Sequence, residues 1–172
     1  MATYTLISSV TVGSGGAANI TFSSIPATYT DLVIKISSRS AAAVNLGYLN
    51  IRFNSDTGNN YAYKAFGGTG TITYNNTSAS ASSIFTVTDA ANFTSNTFGN
   101  AEIYIPNYAG SNQKSVSIDA VTENNGTEAY THLVAGLWTN TAAITSIQIA
   151  DILNSANLVQ YSTAYLYGIS NA

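Results

Sequence analysis

Cysteine is absent from the 172 residues, which excludes a disulfide framework, a thiolate metal site and a cysteine nucleophile. Histidine occurs once, at His132, so no two-histidine metal centre can be assembled within one chain. Charge is also scarce, at 8% of residues against about 25% in an ordinary soluble domain. With 5 Lys+Arg, 8 Asp+Glu and a formal charge of −3, the chain lacks the basic footprint that nucleic-acid binding needs. No apolar run approaches the roughly 18 to 20 residues of a membrane-spanning helix. Met1-Ala2-Thr3-Tyr4-Thr5 has no basic stretch of the kind that opens an export signal. Neither a nucleic acid nor a membrane is therefore expected as a partner.

Hydrophobic residues nevertheless make up 45% of the chain, enough to drive folding, and one domain over residues 1–172 is expected from the length. The apolar residues recur mostly with period two, the signature of strands buried on one face. From Asp31 to Arg39, Leu32, Ile34 and Ile36 share one face, while Asp31, Lys35, Ser37 and Arg39 share the other. From Tyr48 to Asn54, Leu49, Ile51 and Phe53 point inward and Tyr48, Asn50, Arg52 and Asn54 outward. Lys114 to Glu123 repeats the pattern through Val116, Ile118 and Ala120. Further strands are predicted at Tyr4 to Val12, Ala18 to Phe22, Tyr61 to Phe66, Thr71 to Tyr74, Ser83 to Thr88, Ala101 to Ile105, Tyr130 to Trp138, Thr145 to Ile152 and Val159 to Ile169.

Turn-forming runs separate these segments, among them Gly13-Ser14-Gly15-Gly16, Asp56-Thr57-Gly58-Asn59-Asn60 and Gly67-Gly68-Thr69-Gly70. Asn75 to Ser83, polar and small, reads as a mobile loop. Pro26 and Pro106 fall at strand ends, where a missing ladder donor costs least. The best helix candidate, Asp89 to Phe93, is too short for more than a turn. The expectation is an all-β, antiparallel β-sandwich of about eight to eleven strands with little or no helix.

Catalytic constellations are hard to build from these residues. His132 lies in a predicted strand and reads as a partly buried histidine with one hydrogen-bond partner. Serines are many, but none sits in a nucleophile elbow of the G-x-S-x-G type. Glycoside hydrolysis needs two carboxylates at a set separation, which brings Asp119, Glu123 and Glu128 into consideration. Asp119 and Glu123 lie four residues apart on one strand face, about 13 Å at the usual rise, too far for either mechanism. Asn54, Asp56, Asn59 and Asn60 gather oxygens around Gly58, where a hard cation such as calcium could bind. The same run also looks like a strand connection. The expectation is no enzyme, no cofactor and no metal.

Tyrosine is the dominant aromatic, 12 residues against 6 Phe and 1 Trp. It suits sites where a ring packs while its hydroxyl stays wet, so packing, subunit contact and glycan stacking all remain open. Tyr161, Tyr165 and Tyr167 share one face of the last strand, opposite Ala164, Leu166 and Gly168, and both faces read as buried. Together with Trp138 they are the candidate subunit or glycan contacts. A surface of Ser, Thr, Asn and Tyr repels its own copies weakly. It suits a component of an assembly.

Several segments resemble small structural proteins encoded by tailed bacteriophages. They are Ile20-Thr21-Phe22-Ser23-Ser24-Ile25-Pro26-Ala27-Thr28-Tyr29-Thr30-Asp31-Leu32, Ile51-Arg52-Phe53-Asn54-Ser55-Asp56 with Asn60-Tyr61, Ile103-Tyr104-Ile105-Pro106-Asn107-Tyr108, Ile144-Thr145-Ser146-Ile147-Gln148-Ile149 and Ala164-Tyr165-Leu166-Tyr167-Gly168-Ile169. The resemblance implies a jelly-roll-like sandwich within a virion, as a capsid decoration (cement) protein or as part of a head or tail fibre. It carries no catalytic residues. A single domain without a shaft favours decoration. The partners then expected are the major capsid protein and further copies of the chain in a homotrimer on the capsid surface. The alternative is a receptor-binding module that recognises host glycan through Tyr and Trp138 beside loop Asn and Asp groups.

Overall fold

The computed structural model describes residues 2–124, 129–152 and 156–170. Among them run twelve strands and no helix: β1 (Thr3–Thr11), β2 (Asn19–Phe22), β3 (Asp31–Ser38), β4 (Gly47–Phe53), β5 (Tyr61–Gly68), β6 (Thr73–Ala81), β7 (Ile84–Thr88), β8 (Gly99–Pro106), β9 (Lys114–Glu123), β10 (Ala129–Trp138), β11 (Ile147–Asp151) and β12 (Thr163–Ser170). The strands form an eight-stranded sheet of order β1-β12-β3-β8-β9-β10-β5-β6 and a four-stranded sheet of order β2-β11-β4-β7. Every strand pairing in both sheets is antiparallel. The expected all-β sandwich is present, with one strand beyond the anticipated upper bound.

β6 takes up the strand predicted at Thr71 to Tyr74 but runs on to Ala81. The added stretch, Asn75 to Ala81, has no apolar alternation, so nothing in its own composition announces a strand. Pairing with β5 along Gly67↔Tyr74, Phe66↔Asn75, Ala65↔Asn76 and Tyr63↔Ser78 supplies the order that side-chain pattern does not. The loop expected over Asn75 to Ser83 is thus largely strand. The last predicted strand starts late for the opposite reason. Val159 to Ser162 form a turn, with Tyr161 at φ 72°.

Between the sheets lies one core. From the large sheet it takes Leu32, Ile34, Ile103, Ile118, Val134 and Leu166, and from the small sheet Ile20, Phe22, Leu49, Ile51, Phe53 and Ile149. These are the inward members of the period-two pattern, so register follows from burying that face. β7 is the exception to alternation, with all five residues buried. Ile84 occupies the space over Gly136, where a Cβ would stand 2.7 Å from its Cδ1. Phe85 packs edge-on against Tyr63 of β5, ring centroids 4.8 Å apart. The β5–β6 flank thus covers β7 on its second side.

Two polar side chains expected to face outward are buried instead, and a lysine joins them. Arg39 is 8% exposed, and its guanidinium donates to the carbonyls of Ala91, Phe93, Thr94 and Thr97, organising the loop after β7. Asn50 is 1% exposed and donates to the Asp151 carbonyl. Lys114, in phase with the inward Val116 and Ile118, is 1% exposed and donates to the carbonyls of Asn112 and Thr141. A buried cation bonded to several carbonyls avoids the desolvation penalty of an unpaired one. Asp89 and Asp151 are buried as well. The surface is therefore poorer in charge than the sequence already suggested.

Candidate functional site

Trp138, expected as a contact residue, lies inside at 1% exposure. Its ring packs against Phe53 at 5.6 Å and stacks on Tyr61 at 6.4 Å between centroids. Its indole N–H donates to Asp56 Oδ2 at 2.8 Å. Asp56 Oδ1 accepts from the Gly58 amide, and Asn60 Nδ2 donates to the same carboxylate. Burial alone would raise the Asp56 pKa, but the hydrogen bonds from Trp138, Asn60 and Gly58 outweigh it and hold the carboxyl below its usual range. Asn54 Oδ1 accepts from the Thr145 and Ser146 amides, and its Nδ2 donates to the Ala143 carbonyl. The oxygens expected to surround a cation are thus largely engaged by the protein, and the loop is a brace under the tryptophan. Among the described residues no group of three or more His, Asp or Glu could hold a metal ion.

The three tyrosines of the final segment are only partly brought together. Tyr165, 40% exposed, and Tyr167, half-buried against Tyr4, share the outer face of the large sheet. Tyr161 stands apart in the preceding turn, 67% exposed. The outer face is therefore open, not buried as the sequence suggested. One cross-strand row runs Phe66, Leu133, Asp119, Glu102, Lys35, Tyr165 over six strands. Its middle is the exposed Lys35–Glu102 pair at 2.8 Å, a contact that adds little stability at this exposure. Its ends are apolar: Phe66 and Leu133 are about half exposed at one, with Val121 two residues along β9 from Asp119, and Tyr165 lies at the other. At the other margin Tyr4 and Leu6 are equally exposed.

The carboxylates do not make a cleft. Asp119 faces Glu102 across the β8–β9 ladder on this open sheet surface, and Glu102 is already paired with Lys35. Glu123 lies at the far end of β9. Glu128 lies outside the described residues. His132 is fully buried, stacked under Tyr74 with Phe85 on another side, and neither ring nitrogen has a hydrogen-bond partner among the described residues. The single partner expected for it is absent, and burial lowers its pKa to about 4.

Behind the large sheet a second feature escaped the sequence reading. Tyr48 of β4, Tyr63 of β5, Tyr74 and Asn76 of β6, Phe85 of β7 and Ile152 enclose a groove of about 380 Å³. Gly67 makes room for one wall, since a Cβ there would stand 2.1 Å from the Tyr74 ring. The groove continues past Tyr63 and Phe85 to Ser78, Ser80 and Arg52. Four different strands contribute, so no local motif marks the site. Comparisons with protein-family models, with curated proteins and with solved structures find no match.

Proposed function

We propose that the chain is a virion structural protein, a decoration protein that binds the outside of an assembled capsid as a homotrimer and stabilises contacts between capsomers. The observation that carries this reading is the outer face of the eight-stranded sheet. Phe66, Leu133, Val121, Tyr165, Tyr4 and Leu6 leave apolar surface in water on a broad sheet that carries Lys35, Glu102 and Asp119 in its middle and Lys64 over the Phe66 ring. Exposed apolar surface gathered on one face is a mark of protein docking. With a net charge of −3 and four buried charges, little electrostatic repulsion opposes packing against copies or a shell. The resemblance of the strand and turn segments to tailed-phage proteins supplies the shell as partner.

The test is to add the purified protein to capsid shells assembled without it, then to measure their resistance to heat and to low salt. Greater resistance is expected, together with a trimer on sizing of the free protein. Shells no more resistant than untreated ones reject the cementing role.

A further inference from the structure

We propose that the groove between β6 and the four-stranded sheet binds a neutral oligosaccharide. The groove opens on the side of the large sheet opposite the docking face, so this activity is separate from shell attachment and does not depend on it. Its lining is aromatic and amide. Tyr48 and Tyr63 are half-buried and both pack edge-on against Phe85, at 5.8 and 4.8 Å between centroids. That mutual packing fixes the rings before any ligand arrives, which lowers the ordering cost of binding.

The polar groups of the groove are equally distinctive. The hydroxyls of Tyr48 and Tyr63 and the side-chain amide of Asn76 make no hydrogen bond among the described residues. Elsewhere the Asn side chains of the Asn54–Trp138 corner are tied to backbone and carboxylate. A phenol can donate and accept, and an amide offers two donors and an acceptor. A pyranose matches this set, with C–H bonds on its faces for the rings and hydroxyls around its rim for the amides and phenols. Charge favours no acidic or basic ligand, because the only charged lining residue is Arg52 at the far end, and its Nε already donates to the Ser82 carbonyl. A peptide strand would instead pair along the free edge of β6, which is not the groove. The size, about 380 Å³, lies at the lower end of small-ligand sites. One or two sugar rings of a longer chain would fill it.

Affinity electrophoresis in native gels containing dextran, mannan or galactomannan tests the proposal, with dextran sulfate as the charged control. Retardation by at least one neutral polymer is expected, and none by dextran sulfate. Tyr48→Ala should weaken the retardation roughly five- to tenfold, the value of one aromatic contact. Asn76→Ala, at an exposed position, should weaken it severalfold and keeps the test open if Tyr48→Ala does not fold. Tyr165→Ala, on the opposite face, should bind as the wild type does. Failure of all three neutral polymers to retard the protein overturns the proposal. So does retardation that survives both groove substitutions, or a preference for dextran sulfate. Any of these results leaves the shell-binding reading untouched.

Discussion

Two regions of this molecule use the same residue types to opposite ends. At the Trp138 corner, tyrosine, asparagine and aspartate close on one another: Tyr61 Oη accepts from the Phe53 amide at 2.9 Å, and Asp56 accepts a hydrogen bond from the Trp138 indole N–H. Burial raises the Tyr61 pKa to about 12. At the groove, Tyr48, Tyr63 and Asn76 pack only through their rings or stems and leave their polar ends unengaged. Composition is nearly the same in both places. What differs is whether the hydrogen-bonding capacity is consumed within the fold or left facing water, and only the second arrangement can serve a ligand.

The contrast predicts a large asymmetry in stability. Trp138→Ala removes a fully buried ring and orphans Asp56, so it should cost about 3 to 5 kcal/mol in denaturant unfolding. Tyr48→Ala, at a half-buried groove position, should cost clearly less in the same measurement. Equal costs would erase the distinction between the two regions.

Beneath the groove, His132 makes the fold sensitive to acid. Its pKa is lowered by burial from 6.5 to about 4 in the folded state. The unfolded chain therefore binds its proton first, and stability is full above pH 6.5 and falls as pH drops toward 4. The loss should be on the order of 3 kcal/mol. Asp89 works in the opposite sense, because burial raises its pKa and its ionised form disfavours the folded state. Urea unfolding as a function of pH would show the net slope, and His132→Phe should flatten it over that window. A His132→Phe curve with the same slope as the wild type between pH 4 and 6.5 would contradict the buried, neutral histidine.

At the corner, Asp56→Asn should cost about 1 to 2 kcal/mol, since the indole, amide and Asn60 donors lose a charged acceptor. Added calcium should leave the midpoint of the wild type unchanged, whereas a calcium-dependent rise would restore the loop as a cation site. Smallest of all, Tyr74→Phe removes a hydroxyl that is buried without a partner. It should change stability by less than about 1 kcal/mol, and in the stabilising direction.

Much of the fold was legible because burial on one face leaves a period-two trace. Leu32, Ile34 and Ile36, or Val116, Ile118 and Ala120, declare both strand and orientation. Past Tyr74, β6 left no such trace, because the strand state of Asn75 to Ala81 comes from β5 and not from its own side chains. Arg39 and Asn50 misled for a related reason: alternation marks a position as facing away from the core, but not that backbone carbonyls wait there. The groove was invisible because Tyr48, Tyr63, Tyr74 and Phe85 meet only after four strands from two sheets are assembled. Trp138 was expected outside on the strength of its residue type, whereas its partner Asp56 sits 82 positions away.

Co-sedimentation with capsid shells assembled without the protein bears most directly on the role of the outer sheet face. The wild-type chain should pellet with the shells, while a Phe66→Lys, Leu133→Lys variant, altered only at exposed positions, should fold normally and stay in the supernatant. If the wild type stays in solution, or the variant pellets equally well, that face is not what attaches this protein to a shell.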